Sequence, residues 1–230
     1  MDLTKFEALS FDCYGTLIDW ETGILSALRP ITAAHGATAS DAELLRHYAE
    51  IEPQIQAEGY RRYREVLREV VARLGKRLGF SPTEAEKDSL PESLKTWQPF
   101  PDTLPALRRL KSRYKLAIIS NIDDDLFAAS EKLLEVPFDH VVTAQQVGAY
   151  KPSLRNFEVA LERMVIPRER LLHVAESLFH DVAPARRLGI ASVWVNRRAA
   201  KGGVAASGTA DVQPDLTVTD LKALADGAGV

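Results

Sequence analysis

Four short apolar runs, each closed by a polar residue, constrain this chain more than any other feature. Residues 6–11 lead into Asp12, residues 116–119 into Ser120 and Asn121, residues 171–175 into Glu176 and Ser177, and residues 190–195 into Asn196. Each run has strand length and is followed by a turn or a helical pattern. Strands that read as continuous apolar runs are buried on both faces, and their alternation with helices marks β-α units and a parallel sheet. Helical patterns over 103–113, with Leu104, Leu107 and Leu110 on one face, and over 124–134, with Leu126, Phe127 and Leu133, supply crossovers. A last strand is expected over 215–218. In open α/β sheets ligands bind beyond the carboxyl ends of the strands. The polar residues closing the first three runs therefore mark a candidate site.

Residues 21–95 differ. They carry helical patterns only, over 23–36, 42–58, 60–78 and 83–94. Ser40-Asp41 and Ser81-Pro82 read as helix starts, Gly36 and Gly79 as stops. An all-helical block between the first strand and the rest of the sheet reads as an insertion. Gln98-Pro99-Phe100-Pro101 marks the return, because two prolines in four residues cannot continue a helix. The expected fold is α/β: a Rossmann-like parallel-sheet core, residues 1–19 and 97–230, with an inserted all-helical cap domain, residues 20–96. Hinges are expected near Asp19-Trp20 and Trp97-Pro99. Trp20, Trp97, Phe100 and Phe179 read as walls of an apolar pocket or as ordinary core. Residues 199–210, rich in Gly and Ala, read as a mobile surface loop.

Composition narrows the partners. Lys and Arg total 29 against 32 Asp and Glu, a formal charge of -3 that offers nucleic acid or an anionic membrane no attraction. The single cysteine, Cys13, excludes an internal disulfide and a multi-cysteine zinc site. Asp2, Lys5 and Glu7 interrupt the start of the chain where a signal peptide needs an apolar run. No stretch approaches the roughly 20 apolar residues of a membrane span. A cytoplasmic enzyme or small-molecule binder is expected.

The chemistry turns on Asp12. A carboxylate at a strand's end, before a Gly-containing turn, faces a ligand and can act as a nucleophile. Taken alone, Asp12 reads better as a turn cap. However, Phe11-Asp12-Cys13-Tyr14-Gly15-Thr16-Leu17 resembles the nucleophile motif of the haloacid dehalogenase superfamily. Three further segments match in order: Ser120-Asn121, Lys151-Pro152, and Glu176-Ser177 followed by Asp181. The resemblance covers nearly the whole chain, with the helical insertion where this superfamily places a cap. It implies a hydrolase in which Asp12 forms an aspartyl ester and Lys151 keeps Asp12 ionised. Water oriented by Asp181, with Ser177 or Glu176 nearby, would then cleave the ester. Thr16, Ser120 and Asn121 would bind the substrate, supplying donors for the carboxylates. For Lys151 the plainer alternative is a solvated lysine, and for Ser120-Asn121 a helix N-cap.

Phosphatases of the superfamily carry a second Asp two residues after the nucleophile, where this chain has Tyr14. A phenol, with a pKa of about 10, is a poor donor to a leaving alcohol. The motif is similar instead to the 2-haloacid dehalogenase branch, in which a halide leaves carbon without a proton and Tyr14 would be a pocket wall. That implies action at C2 of a small carboxylic acid with no cofactor required, in a chain that forms a homodimer. The pattern departs from the branch in three places. The fourth motif has Glu176-Ser177 where Ser-Ser-Asn is common, and the Glu176–Asp181 spacing resembles the acidic pair that holds Mg²⁺ in phosphatases, with Asp12 as third ligand. Phe157 replaces a common Tyr. The Arg that cradles the halide has Arg46 as its nearest candidate, while Arg61, Arg62 and Arg64 read as a solvated face.

A narrower resemblance links the segments around Asp12, Asn121, Lys151 and Glu176 to azetidine-2-carboxylate hydrolases, dehalogenase relatives that open a strained ring. There Glu176 would stabilise or supply the proton of the leaving nitrogen. Phe179 is a candidate substrate contact. His180 and Cys13 read as packing or neighbouring residues. A Mg²⁺-dependent phosphatase and a catalytically silent metabolite- or partner-binding protein stand as the alternatives.

Overall fold

The computed structural model describes residues 1–198 and 210–230, so the expected loop over 199–210 lies outside the described residues except for Ala210. Six parallel strands form one sheet: β1 Ala8–Phe11, β2 Lys115–Ser120, β3 His140–Thr143, β4 Leu171–Ala175, β5 Ala191–Val195 and β6 Leu216–Val218. Their order is β3-β2-β1-β4-β5-β6. The chain runs outward from β1 in one direction and then from β4 in the other, which puts the topological switch point between β1 and β4. Phe11 is level with Ile118 on one side and Val174 on the other. The residues that follow these strands therefore emerge side by side at one edge.

The apolar runs become strands because both faces are covered: every residue of β1 and β4 is buried. The third strand was not evident in sequence. His140–Thr143 is four residues long, and its first two residues are only half-buried at the sheet edge. On the helices, Leu104 and Leu133 are half-buried, while Ala106, Leu107, Leu110 and Leu134 take the core positions.

Four helices separate β1 from β2: α1 Trp20–Ala34, α2 Asp41–Ala57, α3 Tyr63–Leu78 and α4 Glu84–Ser93. Capping residues fix their ends. Ser40 and Glu43 form a capping box on α2, and Thr83 and Glu86 form one on α4, so Thr83 rather than Ser81-Pro82 starts that helix. Gly79 closes α3 at φ +83°, a conformation costly for any residue with a Cβ. The two chain crossings into and out of the insertion lie side by side. Asp19 N–H donates to the Gln98 carbonyl at 2.9 Å and Phe100 N–H to the Leu17 carbonyl at 3.0 Å. The remaining helices are α5 Thr103–Lys111, α6 Asp124–Leu134, α7 Ala144–Val147, α8 Arg155–Met164, α9 Ala183–Arg187 and α10 Leu221–Gly227. Among the described residues, no helix is long and apolar enough to cross a membrane.

The insertion meets the core through charge as well as apolar packing. The buried Asp123 carboxylate accepts the backbone N–H groups of Tyr63 and Arg64, each at 2.9 Å, and so caps α3 from the opposite side of the interface. Arg62 and Arg64 reach Asp125 at 2.8 and 3.0 Å. These arginines were expected on a solvated face. They remain partly solvated and also join the contact with the core, and Arg61 offers its carbonyl to the Tyr150 hydroxyl at 2.7 Å.

Candidate active site

β1 delivers Asp12 to the floor of a cavity of about 330 Å³ between the sheet edge and the insertion. Gly15 turns the chain away at φ +94°, and a Cβ there would meet the Trp20 indole at 3.0 Å. This is the glycine that the turn requires. Lys151 is 2% exposed and uses all three ammonium protons: Asp12 Oδ1 at 2.9 Å, Asp181 Oδ1 at 2.6 Å and the Ile119 carbonyl at 2.9 Å. It is therefore not a solvated lysine. Asn121 holds it from behind, accepting the Lys151 N–H at 2.7 Å and donating to the Lys151 carbonyl at 3.1 Å. Asp181 also takes His173 Nε2 at 2.9 Å, and the Ser10 hydroxyl lies 2.9 Å from His173 Nδ1.

These contacts set the charges. Burial pushes the Asp12 carboxyl above its ordinary value, against the pull of Lys151, and Asp181 adds to the rise. Burial acts on Asp181 in the same sense, but Lys151 and His173 outweigh it and hold that carboxyl down at about 2. Burial also works against the Lys151 charge, and the two carboxylates overcome it. The result is a fixed cation between two acids, both of which line the cavity.

Thr16 was expected to donate to substrate. Its hydroxyl is committed instead: it donates to Asp12 Oδ2 at 2.8 Å and accepts the Glu176 N–H at 2.9 Å. Both oxygens of Asp12 are thus oriented by protein donors. Ser120 faces the cavity, and its buried hydroxyl has no hydrogen-bond partner among the described residues, which leaves a donor for a ligand carboxylate. The N-cap position of α6 falls to Asp123, so Ser120 and Asn121 do not serve as that cap. Tyr14 lines the cavity with its hydroxyl on Ser130 at 2.8 Å, and burial pushes its phenol well above the ordinary value. Glu176, Ser177, Phe179 and His180 line it from the core side.

One expectation, Arg46, fails on position. Arg46 points outward, more than half exposed and paired with Glu50 at 3.1 Å, because it lies off the buried stripe of α2. Trp97 packs edge-on beneath Tyr14 at 5.9 Å, and Phe100 stacks under Arg197 at 4.2 Å, so of the four aromatic candidates only Trp20 and Phe179 line the cavity. Phe157 is buried against the His173 ring at 5.0 Å. Sequence reasoning passed over His173, although a histidine inside a buried strand run needs a partner. It also passed over Glu52, a charge that interrupts the buried stripe of Leu44, Tyr48, Ile51 and Ile55 on α2.

The Mg²⁺ set proposed for a phosphatase does not fit this donor arrangement. Lys151 occupies the space between Asp12 and Asp181. Among the described residues, no group of three or more His, Cys, Asp or Glu side chains is placed to hold a metal ion.

The chain is 30% identical over 204 residues to an (S)-2-haloacid dehalogenase of Pseudomonas putida, an alignment covering 86% of this chain and 89% of the relative. It is 38% identical over 104 residues to a glyceraldehyde 3-phosphate phosphatase of Methanothermobacter thermautotrophicus, covering 43% and 45%. The fold matches that of L-2-haloacid dehalogenase from Xanthobacter autotrophicus with a TM-score of 0.80 at 21% identity, over 96% of this chain and 97% of that one. A family model for haloacid dehalogenase-like hydrolases spans residues 6–189, and the chain belongs to that family.

Proposed function

We propose that this hydrolase displaces a leaving group from C2 of a small carboxylic acid, with Asp12 as nucleophile and the helical insertion as a cap that excludes bulk water. The observation that carries the reading is the setting of Asp12. Its carboxylate lies at the cavity floor, oriented by Thr16 and paired with Lys151, while the residue two positions on is a phenol already bonded to Ser130. A phosphate ester needs a proton for its leaving alcohol, and Tyr14 is a poor donor there. A group that leaves carbon unprotonated needs none. The (S)-2-haloacid dehalogenase relative points the same way.

An Asp12 oxygen attacks C2 from the side opposite the leaving group, the C2–O bond forms, and the bond to the leaving group breaks with its electron pair. The substrate carboxylate takes the Ser120 hydroxyl, with Lys151 offsetting its charge. Water then adds to Cγ of Asp12, oriented by Asp181 with Ser177 or Glu176 nearby, and the ester opens to a 2-hydroxy acid. No step uses a metal. The leaving group on this reading is a halide or a strained ring nitrogen. Homodimerisation belongs to the same proposal and is read by sedimentation equilibrium.

The test is a single turnover of L-2-chloropropionate in H₂¹⁸O with enzyme in excess and EDTA present. The expected result is ¹⁸O in the Asp12 peptide, unlabelled product, and no chloride from Asp12→Asn. Label appearing first in the product, or activity that requires added Mg²⁺, would overturn it.

A further inference from the structure

The wall of the cavity opposite Asp12 comes from α2 and α3, and its chemistry is that of an acceptor surface. Tyr48, Ala49, Glu52, Pro53 and Tyr63 line it, and no cationic side chain is among them. The Glu52 carboxyl accepts from Gln56 and from the Tyr63 hydroxyl, which in turn lies 2.9 Å from the Tyr48 hydroxyl. Pro53 sits inside α2 and has no N–H for the carbonyl of Ala49, so that carbonyl lacks its regular helical partner. A halide needs donors or positive charge around it. A carboxyl is suited to the opposite kind of group, one that carries N–H donors and positive charge.

The charges of the whole cavity agree. Among the described residues that line it, the acids Asp12, Glu52 and Asp181 stand against one permanent cation, Lys151, while burial keeps the His180 imidazole below its ordinary value and so biased to the neutral form. An anionic haloacid would add to this excess of acids. A zwitterionic substrate brings its own cation and adds no net charge.

We propose that Glu52 is a specificity-determining residue of this site: delivered by the cap, its carboxylate receives the leaving group and selects a basic nitrogen over a halide. This rests on the aspartyl-ester reading and deepens it. The atoms balance as follows. The substrate nitrogen enters as a secondary ammonium in a strained ring, held by Glu52. Asp12 bonds to C2, the C2–N bond breaks, and its electron pair stays on nitrogen, which leaves as a neutral primary amine. Water then opens the Asp12 ester, and the proton it releases passes by way of Glu52 to that amine. The product is a 2-hydroxy acid bearing an ammonium group, and both carboxylates return to their starting state.

Burial pushes the Glu52 carboxyl up to about 7, against the hydrogen bonds from Tyr63 and Gln56. The groups that face it are Tyr48 on its own helix, Tyr63 on α3 and Tyr150 from the core, all neutral phenols whose acidity burial suppresses. Across the cavity stand Asp12, Lys151, Glu176, His180 and Asp181. The carboxylate form that binds a cation therefore grows in as pH rises through about 7.

The test is calorimetric binding in full-length Asp12→Asn protein, which holds ligand without turnover. The probes are L-azetidine-2-carboxylate and cyclobutanecarboxylate, which differ at the ring by nitrogen against carbon. Azetidine-2-carboxylate is expected to bind at least tenfold more tightly, with affinity rising between pH 6 and 8. Adding Glu52→Gln, which retains the volume and a hydrogen bond to Tyr63, is expected to cost at least tenfold for the nitrogen ring, less than threefold for the carbon ring, and to remove the pH dependence. Equal binding of the two rings, or equal losses on substitution, would overturn the proposal. Failure of the aspartyl ester would show separately, as absence of ¹⁸O from Asp12 after a single turnover of L-azetidine-2-carboxylate in H₂¹⁸O.

Discussion

Replacing Lys151 with methionine tests the electrostatic centre directly. The side chain keeps its length but loses all three hydrogen bonds, to Asp12, Asp181 and Ile119. Its side chain is 1% exposed, and those of Asp12 and Asp181 are 11% and 1% exposed, so water does not replace the missing cation. Removing one partner of a buried ion pair costs about 3–5 kcal/mol. We expect that loss near pH 8.

The sign of the pH dependence follows from proton counting. In wild type, Asp181 is held at about 2, below its unfolded value of about 3.9. Its contribution is complete above pH 4, is lost as pH falls through 2, and is flat from pH 5 to 8. In Lys151→Met the two carboxylates face each other without a cation, so one folded-state pKa rises above the unfolded value. The native state then binds a proton that the unfolded state does not. Stability falls with rising pH by about 1.4 kcal/mol per unit until that group ionises. Asp12, already raised in wild type, acts in the same direction but more weakly. Urea denaturation at pH 5, 6.5 and 8 should therefore show the gap between the proteins widening with pH. Adding Asp181→Asn removes one of the opposed charges and should narrow it. A gap below 1 kcal/mol at pH 8, or one of equal size at pH 5 and pH 8, refutes the reasoning.

Thr16→Val removes both the donor to Asp12 and the acceptor of the Glu176 N–H. We expect destabilisation of about 1–3 kcal/mol from the orphaned amide and a fall in kcat at least tenfold larger than any change in KM, read by steady-state kinetics. Asp123→Ala removes the cap that the core places on α3. The expected cost is about 1–2 kcal/mol, with faster hydrogen exchange at the Tyr63 and Arg64 amides, and unchanged exchange there would refute the clasp.

How much of this was legible in sequence depends on whether a residue's role is set by its own strand or by another element. Asp12, Ser120 and Glu176 each close an apolar run that becomes a strand, and parallel pairing in register then brings all three to one edge. Lys151 was legible only through its motif, since nothing in its neighbours requires it to reach 139 residues back to Asp12. Thr16 was found but given the wrong partner, because spacing places a hydroxyl near a carboxylate without saying which groups claim it. Arg46 and Glu52 make the sharper contrast. Both lie on α2, and a search for a charge suited to a halide selects the arginine. Yet the buried stripe of that helix runs through Tyr48, Ile51 and Ile55, and helical spacing puts Glu52 one turn from Tyr48 on that face and Arg46 off it. The periodicity that identified the helix thus already assigned the two charges to opposite sides. A chain that keeps a carboxyl on the buried face, and its arginine outside in a pair with Glu50, presents its substrate with an acceptor.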